Sequence, residues 1–399
     1  MLHSDLDIRF GALFHLTGTP PSLERLRDHV AERATAIPAW GLTIDSDGRR
    51  HRWAALPPSF NHQVRERVLA PGTSPREAAS EVNREPFAHG TPAWDFTLLH
   101  GYAPERYALF YRVGHGLQDG GGALRTAEIF FGGAPAAGER ARSIPRTRLK
   151  RTAPSLRQLA HAAADLTRAA KSSGPWPRLG FTYSRERCHH WAEMPSNRLT
   201  AIARPHGGTR HDAFLAALAR PLHQWLSHHG TVPCPSGVPV HIAVNVRDTH
   251  ETDLPGNFVA PAGILLPSAG TGSDLVRAVV EATDHLKHPA HWAALRHITR
   301  GGSKTLEWAA VRWFNSPKRA AVLTSCVVVR RLLSLFGDPV CAIDPFTALP
   351  MGFPANVLML SYQGRTSVAF VTDAALPGLD TLHTQWERAV ADLTPVPMP

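Results

Sequence analysis

The chain lacks the cysteine patterns that indicate a disulfide framework or a cysteine-rich zinc site. No C-x-x-C pair occurs among its four cysteines, which are Cys188, Cys234, Cys326 and Cys341. A disulfide scaffold or zinc ribbon spaces its cysteines in close pairs. The run from Cys188 to His190 has metal-ligand residue types, but neighbouring strand residues point to opposite faces and no second cluster has matching spacing. We therefore predict no metal and a reducing environment.

Long apolar runs and a leader pattern are also missing. No run reaches the roughly 18 apolar residues that a membrane-spanning helix needs. The first twenty residues carry acids and polar groups, where a signal peptide has a basic start and an apolar centre. These features predict a soluble, cytoplasmic protein.

Several short motifs with well-defined chemistry are absent from the sequence. It contains no G-x-S-x-G, H-E-x-x-H or G-x-x-x-x-G-K-[ST] string, so a serine hydrolase, a zinc protease or a P-loop nucleotidase has no support. Zinc-finger spacing, an RNP-like run and a dense basic helix are missing too. We therefore predict no nucleic-acid partner.

Positive charge is in excess. The chain has 43 Lys and Arg against 33 Asp and Glu, a formal net charge of +10. One interpretation is simply a basic solvated surface. The other is an anionic partner such as the phosphates of coenzyme A, an acidic carrier protein or a membrane surface.

Helix-like and strand-like patterns alternate in both halves of the chain, which predicts an α/β protein with two layered domains. The proposed boundaries are an N-terminal domain at 1–131, a basic Gly/Pro/Arg-rich linker and helix at 132–185, and a C-terminal domain at 186–399. The clearest hairpin joins Asn356–Tyr362 to Thr366–Thr372.

One passage carries most of the chemical information. The strand-forming run Tyr107–Val113 ends at Gly114, followed by His115, then Asp119, then the glycines 120–122. A histidine at a strand exit can face a cavity while the strand behind it is anchored in the core. Its unperturbed pKa of about 6.5 suits a general base. A histidine that is merely exposed, or satisfied within the core, is the alternative interpretation.

This H-x-x-x-D-G string resembles the motif of the coenzyme A-dependent acyltransferase superfamily, which includes chloramphenicol acetyltransferase and condensation domains. More closely, the chain resembles the bacterial wax ester synthase/diacylglycerol acyltransferase family. The other matching stretches, in order, are Pro92–Asp95, Val244–Arg247, Gly256-Asn257, Leu266-Pro267, Pro350–Gly352, Leu360–Gly364 and Val371–Asp373.

The resemblance implies two chloramphenicol-acetyltransferase-like layered domains with mixed sheets and an active-site tunnel at their interface. It also implies an acyltransferase whose general base is His115. The expected partners are acyl-CoA or an acyl carrier protein, together with a small-molecule acceptor. The acyl thioester would be a co-substrate, and no cofactor would be bound permanently.

Further roles follow from the same resemblance. Asp119 would act as a second acid or base, or pair with an arginine, for which Arg247 is the candidate. Gly120 would support the turn after the motif. Asn257 would shape the tunnel or only a turn. For Arg247 the alternative is a surface arginine at the end of a strand.

The chain departs from the family at three places. Gly114 stands where the family has a first histidine, His211-Asp212 replaces an Asn-Asp pair, and Thr324–Val329 lacks the Gly and Pro of a turn. These changes suggest a specialised acceptor, such as a hydroxyl or amine on a secondary metabolite or a lipid-like alcohol. They also leave open a catalytically silent homologue that binds ligands or assembles with partners, and a carrier-protein-dependent condensation enzyme.

Two further patterns have structural interpretations. His285, His288 and His291 recur every three residues around Pro289, which predicts a solvated face. A basic amphipathic region from about 308 to 336 fits core helices whose arginines reach the surface. Its second interpretation is transient contact with a membrane.

Overall fold

A computed structural model describes residues 8–46, 51–132, 134–135, 155–171, 180–184, 186–229, 237–248, 251–267, 270–300, 322–350 and 352–394. Most of the predicted basic linker, and the first part of the basic amphipathic region, lie outside the described residues. The rest of that region, from Val322 to Leu335, forms strands, so the expectation of core helices is wrong there. The strands are β1 Arg9–Thr17, β2 Leu42–Ser46, β3 His51–Ala55, β4 Val64–Val68, β5 Trp94–Ala103, β6 Arg106–Gly114, β7 Ala134–Pro135, β8 Arg187–Pro195, β9 Val238–Asn245, β10 Val259–Leu266, β11 Val322–Val329, β12 Arg331–Leu332, β13 Ser334–Leu335, β14 Asp338–Phe346, β15 Ala355–Tyr362 and β16 Arg365–Asp373.

The α-helices are α1 Leu23–Ala34, α2 Phe60–Gln63, α3 Pro75–Arg84, α4 Gly120–Phe130, α5 Leu156–Lys171, α6 Ser196–Ala203, α7 Arg210–His229, α8 Gly272–Thr283, α9 Pro289–Arg300 and α10 Leu382–Leu393. Helix α1 shows why such segments form helices. Ser22 caps α1 by accepting a hydrogen bond from the Arg25 N–H, and the helix buries Leu26 and Val30 on one face.

The first sheet has the strand order β13-β14-β1-β6-β5-β4. Strands β1 and β6 pair antiparallel along their whole length, with Arg9 opposite Gly114. This register brings the end of β6, and the residues after it, to the end of the sheet at which β1 begins. Gly11 is required in β1 because an added Cβ would collide with the backbone oxygen of Tyr111.

The second sheet has the order β10-β9-β11-β15-β16-β8 and mixes parallel with antiparallel pairs. The predicted hairpin is confirmed as β15 and β16, with Tyr362 opposite Arg365. The mixed sheets agree with the α/β class predicted from the alternating patterns. The largest apolar cluster surrounds α7 and the inner face of this sheet.

The chain crosses between the two sheets in its C-terminal part. Strand β14 pairs with β1 of the first sheet, with Phe346 opposite Gly11, whereas β15 follows within the second sheet. A segment from the predicted C-terminal domain therefore completes the first sheet.

A buried carboxylate links the two sheets. Asp344 of β14 accepts hydrogen bonds from Arg76, His15 and Ser367, the last at 3.1 Å. Arg76 of α3 also forms an ion pair with Glu193 of β8. Burial alone would raise the pKa of Asp344, but the hydrogen bonds from His15 and Arg76 lower it to about 2. The two sheets, each with the helices packed on it, form the two lobes of the protein. Elements of both lobes therefore contact one ionised carboxylate.

The prediction that His285, His288 and His291 form a solvated face is wrong for His291. Pro289 begins α9 rather than interrupting a helix, because proline is tolerated at a first helical position. His288 is exposed, but His291 is only 5% exposed and its ring lies edge-on to His285 at 5.1 Å. The helix turns that face inward.

Candidate functional site

His115 is the first residue after β6, and backbone hydrogen bonds fix its position. The Gly114 N–H donates to the Ala93 oxygen at 2.7 Å, and the His115 N–H donates to the Ile8 oxygen at 2.8 Å. The imidazole packs on the ring of Phe10, with 4.8 Å between ring centroids. The side chain is therefore held at the end of the first sheet, as the sequence predicted for a strand exit.

The environment of His115 favours its neutral form. The residue is partly exposed, yet its Nδ1 is buried and has no hydrogen-bond partner among the described residues. Burial lowers the pKa of His115, and this effect outweighs the opposing influence of its own backbone carbonyl and of Asp119. The ring is unprotonated at neutral pH, which is the state that a general base requires.

Asp119 is fully buried and uses both carboxylate oxygens. Oδ1 accepts from the Gly122 N–H at 2.7 Å and caps α4. Oδ2 accepts from the Phe258 N–H at 2.7 Å and from Arg247 Nη2 at 2.8 Å. Asp119 therefore fixes the loop after His115, as an orienting group does.

Arg247 spans from the second sheet to the motif. Its Nη1 donates to the Glu251 and Leu254 oxygens at 2.6 and 2.7 Å. Its side chain is 5% exposed, and its guanidinium lies 4.1 Å from the ring centroid of Phe258. The structure thus brings Arg247 and Asp119 together as a buried ion pair, and the alternative of a surface arginine does not apply.

The glycines of the motif differ in what surrounds them. At Gly120 an added Cβ would meet Val327 at an ordinary 3.7 Å, whereas at Gly121 it would lie 2.7 Å from Nδ2 of Asn245. The close approach between the lobes is therefore at Gly121. The Asn245 side chain also accepts a bond from the Arg247 N–H at 2.9 Å.

Asn257 lies at a local turn. It is exposed, and its Oδ1 accepts a hydrogen bond from the Val259 N–H at 3.2 Å. This geometry corresponds to the turn interpretation of the sequence. The neighbouring Gly256 makes the inter-lobe contact instead, because its N–H donates to the Leu117 oxygen at 2.7 Å.

A chain of side-chain hydrogen bonds that sequence reasoning missed supports the motif loop. Trp40 Nε1 donates to the Tyr111 hydroxyl at 3.1 Å, and that hydroxyl donates to Gln118 Oε1 at 2.8 Å. Gln118 Nε2 then donates to Thr126 at 2.7 Å. Strand alternation could have indicated that Tyr111 points inward, but no sequence signal links Trp40 to it.

A small cavity of about 20 Å³ lies beside this network and is lined by residues that include Gln118, Thr126 and Leu254. Arg125 and Asp253 form an ion pair across its wall at 2.7 Å. A space of this size holds about one water molecule. It does not accommodate a thioester donor.

His211-Asp212 begins α7 and is structural. Asp212 is 1% exposed and accepts hydrogen bonds from Thr209 and Thr283, with the ammonium of Lys287 at 3.1 Å. Burial lowers the pKa of His211 to about 4. Asp212 therefore fixes the start of the helix.

Within the part of the chain that the structure describes, no three His, Cys, Asp or Glu side chains are grouped so that they could hold a metal ion. Among the same residues, no helix has both the length and the apolar character required to traverse a bilayer.

Known proteins match this chain in sequence and in fold. Tgs4 of Mycobacterium tuberculosis, named as a diacylglycerol O-acyltransferase, is 25% identical over 219 residues, which are 44% of this chain and 46% of that protein. The chain thus matches about half the length of this curated relative.

Two solved structures share the fold. The wax ester synthase/diacylglycerol acyltransferase of Marinobacter aquaeolei VT8 aligns with a TM-score of 0.60 and 18% identity, covering 97% of this chain and 94% of that one. A mutant starter condensation domain of rhizomide synthetase, in complex with C8-CoA, aligns with a TM-score of 0.63 and 15% identity, covering 98% and 91%. The predicted two-lobe acyltransferase-type α/β fold is confirmed.

The sequence comparison also identifies the family. The catalytic-domain profile of the wax ester synthases and diacylglycerol acyltransferases matches residues 12–212, a stretch that is half of the chain and includes most of β1, the H-x-x-x-D-G motif and the start of α7. On this match, and with the fold in agreement, the chain belongs to the wax ester synthase/diacylglycerol acyltransferase family.

Proposed function

We propose that this protein is an acyltransferase that moves an acyl group from acyl-CoA, or from a carrier-protein pantetheine, to a hydroxyl or amine. The observation that carries the proposal is the position of His115 at the end of β6, with a buried Nδ1 that has no partner among the described residues, on a loop held by the Asp119–Arg247 pair. Burial, which lowers the pKa of His115, supports it. Family membership supports the reaction class, and a fold relative in complex with C8-CoA supports the donor.

The proposed chemistry needs one base and no covalent acyl-enzyme. Nε2 of His115 removes the proton from the acceptor as its oxygen or nitrogen attacks the thioester carbonyl. The tetrahedral intermediate then collapses, the carbon–sulfur bond breaks, and the thiolate takes the proton from the imidazolium. The products are the ester or amide and a free thiol, and the histidine returns to its neutral form.

Asp119 and Arg247 act in this scheme as positioning residues. A carboxylate that accepts bonds from the start of α4, from Phe258 and from Arg247 fixes the loop between β6 and α4 in one geometry. Holding a base in place in advance removes the need to organise it during the reaction. Gly120 contributes as the first residue of α4, and Asn257 through the turn it occupies.

Replacing the base tests the proposal. His115→Ala should lower turnover at least about a hundredfold, the low end expected for the loss of a general base. The measurement is release of free thiol from a panel of acyl-CoA donors with candidate alcohols and amines. His161→Ala on α5 is the matched control, since His161 is an exposed histidine.

The same assay tests the alternative that the protein is a catalytically silent homologue. If the wild type releases no thiol with any donor and acceptor, or if His115→Ala is as active as the wild type, the proposed function is wrong. A crystal structure with the ring of His115 closed off from every channel would also count against it.

The proposal extends to the class of acceptor and to the carrier of the acyl group. Gly114 and the altered β11 segment favour a specialised metabolite or a lipid-like alcohol over a common lipid acceptor. The likeness to a starter condensation domain favours, as a second candidate, condensation on carrier-bound substrates. A comparison of acyl-CoA with acyl carrier protein as donor separates the two, because only one should support rapid turnover.

A further inference from the structure

The hairpin of β13 and β14 lies at one edge of the first sheet, and its base is fixed in the core. Strand β13 is the edge strand, and Leu335 pairs with Asp338 across a two-residue turn. Leu333, Leu335 and Val340 are buried in the apolar cluster of the first lobe. The turn itself, residues 336 and 337, therefore lies at the margin of a well-anchored sheet.

This turn holds an aromatic residue in a backbone conformation that such residues rarely adopt. Phe336 has a φ of 55° and Gly337 a φ of 100°. Positive φ at both central residues of a two-residue hairpin is the type I′ pattern, in which Asn-Gly is a preferred pair. A bulky residue in this region is an outlier that costs free energy. Because asparagine would suit the turn better, the phenylalanine calls for an explanation.

The hairpin of β15 and β16 has the same pattern, and there the first turn residue has a structural role. Gln363 and Gly364 have φ values of 46° and 76°. Gln363 Nε2 donates to the Val340 oxygen at 3.2 Å and to the Tyr362 hydroxyl at 2.8 Å. These bonds join the two hairpins. Phe336 makes no comparable contact with the core, since it is 37% exposed.

The ring of Phe336 belongs to an exposed surface that combines apolar and basic side chains. The guanidinium carbon of Arg25 on α1 lies 4.0 Å from the ring centroid, and the ring of His29 lies edge-on at 5.1 Å. Leu332, four residues earlier, is 39% exposed. We name the exposed residues Arg25, Arg330, Leu332 and Phe336 the hairpin-tip patch.

The acidic groups near the hairpin-tip patch are either engaged or turned away from it. The carboxylate of Asp338 accepts a hydrogen bond from the Tyr107 hydroxyl at 3.0 Å, and Asp338 is only partly exposed. Glu24 and Asp28 are exposed on α1, but each precedes by one position a residue that contacts the Phe336 ring. They therefore face about 100° away around the helix. The patch itself presents arginines and apolar groups.

We propose that the hairpin-tip patch binds the surface of an anionic lipid bilayer. An exposed aromatic ring with arginines beside it suits that surface, because the ring gains apolar burial at the headgroup boundary and the guanidinium groups attract anionic lipids. Insertion of the ring would offset the cost of its backbone conformation. The inference goes beyond the proposed acyl transfer and does not depend on it.

Vesicle co-sedimentation with Phe336→Asn tests the patch. The wild type should bind vesicles of phosphatidylcholine mixed with phosphatidylglycerol at least about fivefold more tightly than vesicles of phosphatidylcholine alone. Phe336→Asn should weaken binding to the mixed vesicles about tenfold, because one inserted aromatic ring is lost. Its melting temperature should not fall, since asparagine suits the turn.

A matched pair of leucine substitutions separates the patch from the rest of the surface. Leu332→Thr should weaken binding to the mixed vesicles about fivefold. Leu265→Thr makes the same change in β10 of the second lobe, where the leucine is 42% exposed, and should leave binding unchanged. All binding is measured below the melting transitions of the variants, so that only folded protein is compared.

Three results would overturn the patch as a lipid-binding surface. The first is a wild type that does not bind the mixed vesicles. The second is a Phe336→Asn protein that binds them as the wild type does, because the attraction would then come from the net positive charge alone. The third is equal weakening by Leu332→Thr and Leu265→Thr. Thiol release without vesicles should be the same in Phe336→Asn and the wild type, so this test and that of the acyltransferase can fail separately.

Discussion

Two buried carboxylates join the lobes of this protein, and they do so in different ways. Asp119 sits at the start of a helix and accepts two backbone N–H bonds besides one arginine. Asp344 lies within a strand, and its partners among the described residues are the side chains of Arg76, His15 and Ser367. The first therefore fixes a backbone conformation next to His115, whereas the second fixes the distance between two sheets.

This difference predicts different consequences for loss of each arginine. Without Arg247, a fully buried Asp119 would lose its cation, and removing one partner of a buried pair costs about 3–5 kcal/mol. Arg247→Ala should therefore lower the free energy of unfolding by that amount and lower thiol release in the fraction that stays folded. Chemical denaturation and the thiol assay measure both effects.

Two substitutions calibrate that result. Arg247→Lys should restore little, because one ammonium cannot reach the separate oxygens that the guanidinium contacts. Arg277→Ala on α8 removes an exposed pair with Asp274 and should cost less than about 0.5 kcal/mol. If Arg247→Ala proves as mild as Arg277→Ala, the motif does not depend on the inter-lobe pair.

At the other carboxylate the expected effect is smaller. Arg76→Ala leaves Asp344 with bonds from His15 and Ser367, so the loss in unfolding free energy should be about 1–3 kcal/mol. Because the base is not touched, kcat should fall less than in Arg247→Ala at equal folded fraction. A kcat that falls more than in Arg247→Ala would show that the distance between the lobes matters more than the loop.

Acid titration should separate the same two regions. The pKa of Asp344 is about 2 in the folded state, below its ordinary 3.8, so its contribution to stability is present above pH 3.8 and is lost as pH falls toward 2. The difference corresponds to roughly 2 kcal/mol. Denaturant titrations from pH 5 to 2 should show this loss, and Asp344→Asn should remove most of it.

Activity should follow His115 instead. Its pKa lies below 6.5, so the acid limb of the kcat/KM profile should have its midpoint below pH 6.5. A midpoint above 7 would mean that the essential base has a raised pKa, which would contradict the effect of burial on His115. The profile of Arg76→Ala should keep the wild-type midpoint.

The close steric contact between Gly121 and Asn245 should have a smaller effect than either carboxylate. Gly121→Ala places a methyl group 2.7 Å from Nδ2 of Asn245, a side chain that can shift, and should cost about 1 kcal/mol. Combining it with Asn245→Ala should recover part of that loss in a double-mutant cycle. Additive effects would show that the two positions do not interact.

Local patterns were enough to predict several features. The strand before His115 and the β15–β16 hairpin were both indicated by residue type and spacing. The resemblance also pointed to Arg247 as the partner of Asp119, and the structure places the two in contact.

Features that depend on distant pairings were not accessible. Nothing in the sequence linked Asp344 to Arg76, which are separated by 268 positions. The sequence also did not indicate the hydrogen-bond chain from Trp40 through Tyr111 to Gln118. A buried indole or phenol group can bond to any polar partner that the fold brings near, so residue type does not identify that partner. The inward turn of His291 was missed since a proline can begin a helix as well as end one.

The crossing of β14 into the first sheet has a consequence for biosynthesis. Strand β1 is flanked by β6 and β14, so it keeps an open edge until residue 346 has emerged from the ribosome. Unpaired strand edges are templates for aggregation. The N-terminal lobe should thus mature only after most of translation, and a fragment made of the first 131 residues should need the later segment, supplied in trans, to stay dispersed.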